Sequence, residues 1–209
     1  MKNILILTGP QGSGNRMWSK IFAVNPDVYG WQALNKEYWI GHDQEPFAEC
    51  WANPEKLDKF DWRQSDYYVT STSIPYMNNG EPTIPDVYYF GIKLQAMGFN
   101  VRIGIIGRDR NVIGMQEQRV RGEPTFEKAL KEIRRLDGFP TVFLSYELLH
   151  LYHEQYLKQL SQQLSFPIAW ADPRVKEIIK DDTNAKYFSP VEHHPTDDLA
   201  RKTSKKWHD

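Results

Sequence analysis

The amino-acid sequence predicts an α/β fold in which helices cover both faces of a mainly parallel sheet. Three short apolar runs indicate the main strands, because uninterrupted apolar residues are typical of strands buried on both faces. Each run is followed by a segment with apolar residues at helical spacing, and such alternation is typical of parallel sheets. The chain has 209 residues, 40% of them hydrophobic, which is enough for a single domain spanning residues 1–209.

The N-terminal part of the chain predicts a strand, a glycine-rich turn and a helix in direct succession. The strand is Ile4–Leu7. The helix covers about 15–24, because apolar residues recur there at helical spacing, and Asn25–Asp27 ends it. Residues 30–66 are instead rich in Trp, Tyr, Pro and acidic residues with weak periodicity, so we interpret them as an aromatic-rich insertion on the substrate side.

The rest of the chain continues the alternation. The predicted elements are a strand at 67–72, a loop at 74–85, a helix at 86–97 ended by Gly98, a strand at 101–106, helices at about 112–120 and 125–137, a strand at 141–145 and a helix at 147–164. The signals are mixed after Pro167, and residues from about 190 to 209 form a predicted polar tail.

Composition excludes some classes of function. The formal net charge of −1 gives no global sign of nucleic-acid or membrane binding, although a local basic groove stays compatible with it. No apolar stretch has the length of a membrane span or the form of a signal peptide, which predicts a cytoplasmic protein without a membrane partner. Cys50 is the only cysteine, so it forms no intramolecular disulfide, and we expect it to be buried. The oligomeric state stays open.

The glycine-rich turn after the first strand is the strongest functional signal. Gly9 and Gly14 have the spacing of the phosphate-binding pattern G-x-x-x-x-G-K-[ST], in which backbone N–H groups surround phosphate oxygens at a helix N-terminus. Asn15 replaces the lysine of that pattern and Arg16 replaces the metal-binding hydroxyl. Arg16 or Lys20 are candidates to supply the missing charge, and Ser13 to supply a hydroxyl. The predicted cofactor-binding residues are Gly9, Gln11, Gly12, Ser13, Gly14, Asn15 and Arg16. The alternative is a tight turn without a ligand.

Arginines form a second candidate site. Arg108 and Arg110 follow a predicted strand end, where parallel sheets place their ligands, and arginine suits forked contacts with phosphate or sulfate. With Arg16 they are candidate catalytic residues. Arg119 and Arg121 are candidate substrate-binding residues, and a solvated helix face is their alternative interpretation.

The insertion carries the candidate acceptor-side groups. Asp43 is the first candidate for the base that receives the acceptor's proton, followed by His42 and Glu45. Trp39 and neighbouring aromatic residues are candidates to stack on an unpaired base, with a role in the core of the insertion as the alternative. The spacing of histidines and acidic residues predicts no protein metal site.

The second half of the chain resembles P-loop sulfotransferases. The run Ile105–Val112 is similar to their Arg-Asp-Pro-Arg-Asp-Val segment, shortened by one residue, and Ser145–Leu149 is similar to their Tyr-Glu-Asp-Leu segment. Ser13–Asn15 is a loose match to their Ser-Gly-Thr. The resemblance implies 3′-phosphoadenylyl sulfate as donor. Two donor-binding positions differ, because Gly12 replaces a basic residue, and the serine that holds the donor's 3′-phosphate falls near Met115 or Gln116.

The first half looks more like nucleoside and nucleotide kinases, in which Gly-Pro-x-Gly-Ser-Gly-Lys is common. Length, layout and the lost lysine also resemble the P-loop kinases with which tailed phages phosphorylate the hydroxymethyl group of 5-hydroxymethyluracil in DNA. This resemblance implies a three-layer P-loop fold, ATP with Mg²⁺ as donor, and DNA as acceptor in a host cytoplasm.

The sequence is therefore compatible with three functions. A kinase ranks first, because all the kinase-type glycines are present. A sulfotransferase ranks second, because its donor-specific serine and basic residue are absent. The third is a nucleotide-binding module without catalysis, which the lost lysine and hydroxyl of the loop support.

Overall fold

The structure is a computed structural model that describes residues 1–36, 40–78, 80–120 and 125–187, without the side chains of residues 119, 120 and 186. Its main sheet consists of five parallel strands, which are β1 (Asn3–Pro10), β2 (Val28–Tyr29), β3 (Tyr67–Ile74), β6 (Asn100–Gly107) and β7 (Thr141–Ser145). Their order across the sheet is β2-β3-β1-β6-β7.

Seven helices accompany the sheet within the described ranges. They are α1 (Asn15–Ala23), α2 (Ala48–Ala52), α3 (Val87–Ala96), α4 (Arg110–Val120), α5 (Phe126–Arg134), α6 (Tyr146–Leu164) and α7 (Pro173–Ile179). α6 is interrupted at His153, whose φ of 45° is not helical. The helix predictions at 15–24, 86–97, 112–120, 125–137 and 147–164 correspond to α1, α3, α4, α5 and α6, with shifted ends.

Alternation along β1 divides the core into two layers of side chains. Ile4 and Ile6 point to one face, where they pack with Phe90 and Leu94 of α3 and with α2 and α5. Leu5 and Leu7 point to the other face, against α1, α6 and α7. Because both faces are covered, the residues of β1 at Ile4–Leu7 are apolar without interruption. This arrangement of helices, sheet and helices confirms the predicted three-layer α/β fold.

The insertion at 30–66 contributes to the first core layer. Apart from α2 it consists of short 3₁₀ turns, at Gln32–Asn35, His42–Gln44 and Pro54–Lys59. Its aromatic side chains pack on Tyr68 of β3 and on Phe99 before β6. The lack of helical periodicity in the sequence therefore reflects a segment held by aromatic packing instead of by long helices.

Four short elements outside the insertion were missed by the sequence prediction. Residues 74–85, predicted as a loop, contain an antiparallel hairpin of β4 (Tyr76–Asn78) and β5 (Glu81–Thr83). The two-residue strand β2 and the seven-residue helix α7 are too short for a clear periodic pattern. The predicted tail at 190–209 lies outside the described residues.

Candidate functional site

The turn between β1 and α1 forms a tight loop at the carboxyl end of the central strand. Gly12 and Gly14 have φ angles of 85° and 106°, which residues with a Cβ rarely adopt. The loop is closed on itself, because the N–H and the hydroxyl of Ser13 both donate to the carbonyl oxygen of Pro10, at 3.2 and 2.7 Å. The loop leads directly into α1, and the free N–H groups at a helix N-terminus in general favour an anion.

Three polar side chains in and beside this loop are buried without hydrogen-bond partners among the described residues. They are the hydroxyl of Thr8 and the amide oxygens of Gln11 and Asn15. Gln11 is 3% exposed and Asn15 is 8% exposed. A buried polar atom without a partner costs about 1–3 kcal/mol unless water or a ligand satisfies it. The loop is therefore a candidate ligand site.

Arg108, at the end of β6, lies against the loop. Its Nη1 donates to the carbonyl oxygen of Gly12 at 2.8 Å, its Nε to Oδ1 of Asn184 at 2.7 Å, and its Nη2 to the hydroxyl of Thr183 at 2.9 Å. The guanidinium also stacks on the ring of Tyr146, 4.4 Å from the ring centroid. All of these partners are neutral, so among the residues that the structure describes the positive charge beside the loop has neutral hydrogen-bond partners.

A second layer of hydrogen bonds fixes these partners. Asn184 donates from Nδ2 to Glu147 at 3.4 Å, and Glu147 accepts the backbone N–H of Asp109 at 2.8 Å. The hydroxyl of Tyr146 lies 2.8 Å from that of Thr183 and accepts the Thr183 N–H at 2.9 Å. The segment after α7 is thereby tied to the carboxyl ends of β6 and β7.

Gln116 of α4 also reaches the loop. Its Oε1 lies 3.5 Å from Nη1 of Arg108. A Cβ built on Gly12 would lie 2.6 Å from the same oxygen. Sequence reasoning placed Gln116 near an expected donor-binding serine but did not select it as a site residue. Thr183 and Asn184 were not selected either, because they lie in a segment with mixed signals far along the chain.

The other predicted arginines have different surroundings. Arg110 forms an exposed ion pair with Glu127 at 3.6 Å, and its guanidinium lies 5.2 Å from the ring centroid of Phe126. Both partners belong to the start of α5. Arg16 is half-buried at the start of α1, and burial lowers the pKa of its guanidinium. The side chain of Arg119 and the whole of Arg121 lie outside the described residues.

Glu45 is buried beneath the start of α1 and is 3% exposed. Its carboxyl oxygens accept the backbone N–H of Phe47 at 2.6 Å and that of Ser71 at 3.2 Å. The hydroxyl of Ser71 lies 3.4 Å from the carbonyl oxygen of Asn15, so Glu45 is linked to the loop through β3. Burial raises the pKa of Glu45 to about 8, against the opposing effect of its hydrogen bonds with Thr70, Phe47 and Ser71. The carboxyl is enclosed and its oxygens are used by backbone N–H groups, which disfavours it as a base for an acceptor.

Asp43 and His42 occupy the short 3₁₀ turn His42–Gln44 of the insertion. Asp43 is exposed, and its carboxylate lies against the Cα of Gly41. The ring of His42 lies 5.9 Å from that of Trp31. Both side chains are more accessible than Glu45, so they remain the candidate bases of the insertion.

Most aromatic side chains of the insertion belong to the core. Phe47 stacks on Phe60 at 4.5 Å and on Trp62 at 5.7 Å between centroids, and Trp51 donates from Nε1 to the hydroxyl of Thr70 at 3.0 Å. Phe47 and Trp51 are buried, so their faces are not accessible to a nucleic-acid base. Trp39, the candidate stacking residue, lies outside the described residues.

Loop residues do not fit the usual Mg²⁺ arrangement. In P-loop NTPases the ion is held by the hydroxyl after the lysine and by an acidic residue at a strand end. Here Arg16 occupies the hydroxyl position and the Ser13 hydroxyl is used within the loop. The carboxylate of Asp109, after β6, accepts two backbone N–H groups at the start of α4. Within the ranges that the structure describes, no group of three or more His, Cys, Asp or Glu side chains is placed to hold a metal ion.

Among the helices in the described ranges, none is both long enough and apolar enough to cross a membrane.

Similar solved structures include mouse sulfotransferase SULT7A1 complexed with PAP. The sequence identity is 11% and the TM-score is 0.48, with 93% of this chain and 70% of that chain covered. Another is retinol dehydratase in complex with androsterone and inactive cofactor PAP, at 11% identity and a TM-score of 0.39, with 85% of this chain and 63% of that chain covered. No protein-family model and no curated protein matches the chain. The resemblance to phage kinases is not tested by these comparisons and stays a prediction.

Proposed function

We propose that this protein is a transferase that holds the phosphates of a nucleotide donor on the loop Gly9–Asn15 and transfers a group to an acceptor hydroxyl. One observation carries the proposal. The charge of Arg108 is held by neutral partners against the carbonyl oxygen of Gly12, in a loop that also buries unpartnered polar side chains. Such a charge beside a helix N-terminus attracts a phosphate or sulfate group.

The side chains of the loop favour a sulfuryl donor over a phosphoryl donor. The transferring sulfuryl group carries less negative charge than a phosphoryl group, so it needs less neutralisation. Asn15 is uncharged where a P-loop kinase has its lysine, and the residues around it do not fit the usual Mg²⁺ arrangement. These side-chain surroundings reverse the order of the two hypotheses that the glycine spacing alone suggested.

In the proposed reaction the acceptor oxygen forms a bond to sulfur, and the bond from sulfur to the bridging oxygen of 3′-phosphoadenylyl sulfate breaks. Adenosine 3′,5′-bisphosphate leaves with the bonding electrons, and the hydroxyl proton passes to a base, for which Asp43 and His42 are the candidates. Negative charge grows on the leaving 5′-phosphate. In this proposal, backbone N–H groups of the loop and Arg108 stabilise that charge.

A kinase remains the second candidate, and the spacing of Gly9 and Gly14 favours it. In this case ATP is the donor, and the proposed acceptors include the hydroxymethyl group of 5-hydroxymethyluracil in DNA. The acceptor base would have to be extruded from the duplex to reach the protein.

Binding and transfer experiments separate these candidates. Calorimetric titrations with adenosine 3′,5′-bisphosphate and with ADP, with and without Mg²⁺, measure donor-site preference. Transfer is then followed with labelled sulfate donor and with γ-labelled ATP, each offered to simple alcohols, phenols and DNA containing 5-hydroxymethyluracil. Sulfate transfer supports the proposal, and phosphate transfer supports the kinase. Binding without transfer indicates a module without catalysis.

Gly14 provides the control for the loop itself. A Cβ at Gly14 would lie 3.3 Å from the ring of Tyr146, at a φ of 106° that disfavours any side chain. Gly14→Val should therefore abolish nucleotide binding while the chain stays folded. Unchanged affinity in this variant would overturn the assignment of the loop.

A further inference from the structure

Asn184 forms hydrogen bonds both with the positive charge at the loop and with two carboxylates. Its Oδ1 accepts the Nε–H of Arg108 at 2.7 Å. Its Nδ2 donates to Glu147 at 3.4 Å, and its backbone N–H donates to Asp182 at 2.8 Å. Each hydrogen-bonding group of the residue thus faces a partner of the matching kind.

Burial strengthens the interactions of Asn184 with the charged groups around it. Asn184 is 5% exposed, so its amide is shielded from water, and interactions between charges are stronger there than on the surface. A direct contact between Glu147 and Arg108 would form an ion pair, and the Arg108 charge would then be largely cancelled. The amide separates them, because it accepts from the cation on one side and donates to the anion on the other.

We propose that Asn184 is a positioning residue that orients Arg108 towards the loop and keeps its charge available to the donor's phosphate. The proposal rests on the proposed function, because it requires an anionic donor at the loop. It assigns a role in donor binding to the segment after α7, whose sequence pattern gives no functional signal.

The contrast between Asn184→Asp and Asn184→Ala tests the proposal. Aspartate has the same shape as asparagine and can still accept from Arg108, whereas alanine cannot. If Asn184 serves only to hold the fold together, the aspartate variant should be the milder of the two. If it keeps the charge available, the aspartate variant should bind the donor product more weakly, because its carboxylate neutralises Arg108.

The measurement is the affinity for adenosine 3′,5′-bisphosphate and for ADP at several salt concentrations. We expect Asn184→Asp to lose at least tenfold in affinity and to show a shallower salt dependence than wild type, because one fewer cation contributes to anion binding. We expect Asn184→Ala to lose affinity because Arg108 is less well oriented, but to lose less than Asn184→Asp, because it places no new carboxylate against the guanidinium. Asn53→Asp introduces the same charge change at an exposed position of the insertion and should behave as wild type.

The outcomes separate this proposal from the proposed function. If wild type binds neither nucleotide, the proposed function fails. If wild type binds a nucleotide and the aspartate variant binds it at least as tightly as the alanine variant, the proposed role of Asn184 is overturned. Circular dichroism and thermal unfolding identify a variant that does not fold, and Asn184→Ser then replaces the alanine variant as the neutral comparison.

Discussion

Nη1 of Arg108 lies 2.8 Å from the carbonyl oxygen of Gly12. This contact joins the end of β6 to the loop after β1, the two neighbouring strands at the centre of the sheet. The same guanidinium reaches Thr183 and Asn184, so one side chain connects the loop, the strand end and the segment after α7.

Arg108→Lys should weaken nucleotide binding although the positive charge is kept. Lysine lacks the planar fork, so it cannot donate to Gly12, Thr183 and Asn184 at once. A hydrogen bond to a charged group contributes about 1.5–3 kcal/mol, so we expect a roughly ten- to hundredfold loss of affinity in calorimetric titration.

The matched control for this substitution is Arg110→Lys. The side chain of Arg110 is 76% exposed and pairs with Glu127 at 3.6 Å, and exposed pairs of this kind contribute little. We expect unchanged affinity. Equal losses in both variants would show that the loop does not depend on the geometry of Arg108.

Gly12→Ala should lower both stability and nucleotide affinity. Gly12 has a φ of 85°, and the left-handed region costs a residue with a Cβ about 1–2 kcal/mol. The new methyl group would also displace the amide of Gln116, which lies next to Arg108. Urea unfolding and calorimetric titration measure the two effects.

Gly114→Ala is the control for this substitution, and the expected change in stability has the opposite sign. Gly114 lies within α4, and a Cβ there meets no atom within 4 Å. Alanine is more favourable than glycine in a helix by about 0.8–1 kcal/mol, so this variant should be more stable with unchanged affinity. If both alanine variants changed stability in the same direction, the conformational role of Gly12 would be wrong.

Phe47→Ala should destabilise the protein strongly, because the aromatic residues of the insertion form part of the core. Phe47 is fully buried and contacts Tyr29, Phe60, Trp62 and Tyr68. Truncation of a buried Phe costs about 3–5 kcal/mol. The free energy of unfolding in urea measures this loss.

The same substitution at an exposed position is the control. Phe143 of the edge strand β7 is 72% exposed, so Phe143→Ala should change stability by less than about 0.5 kcal/mol. A small effect at Phe47 would mean that the insertion is not packed as the structure shows. Its aromatic residues would then again be candidates to stack on a nucleic-acid base.

The sequence predicted those parts of the molecule that depend on local patterns. The apolar run Ile4–Leu7 predicted β1, and the glycines that follow it predicted the loop. Both were predictable because burial in a strand and a positive φ restrict the residue types that occur there. Arg108 was selected from its place at a strand end. In contrast, its contact with Asn184 joins residues 76 positions apart, and no local pattern carries that information.

Glu45 illustrates a different limit of sequence reasoning. A glutamate beside His42 and Asp43 is expected to be exposed, and Asp43 is exposed. Glu45 is instead buried, because the backbone N–H groups of Phe47 and Ser71 and the side chain of Thr70 provide it with partners. Only the three-dimensional arrangement of the insertion over β3 determines which of these acidic groups faces water.

Burial of Glu45 predicts a specific dependence of stability on pH. The pKa of Glu45 is raised from 4.5 to about 8 in the folded protein, mainly by burial. The folded state therefore keeps this proton after the unfolded state has lost it. Below the pKa that Glu45 has in the unfolded state, its contribution to the free energy of unfolding is fully present. This contribution falls as the pH rises from about 4.5 to about 8, by about 1.4 kcal/mol for each pH unit.

Glu45→Gln removes this titration and keeps the shape of the side chain. Other groups close to Glu45 are Tyr29 and Cys50, and burial raises the pKa of both, that of Cys50 to about 11, so neither titrates in this window. The variant loses one acceptor oxygen, which shifts its stability by a constant amount at every pH. We therefore expect the stability of wild type relative to the variant to decrease steadily between pH 5 and pH 8, as measured by urea unfolding at each pH. Parallel profiles for the two proteins would show that the carboxyl is ionised in the folded state, and Glu45 would then rejoin Asp43 and His42 as a candidate base.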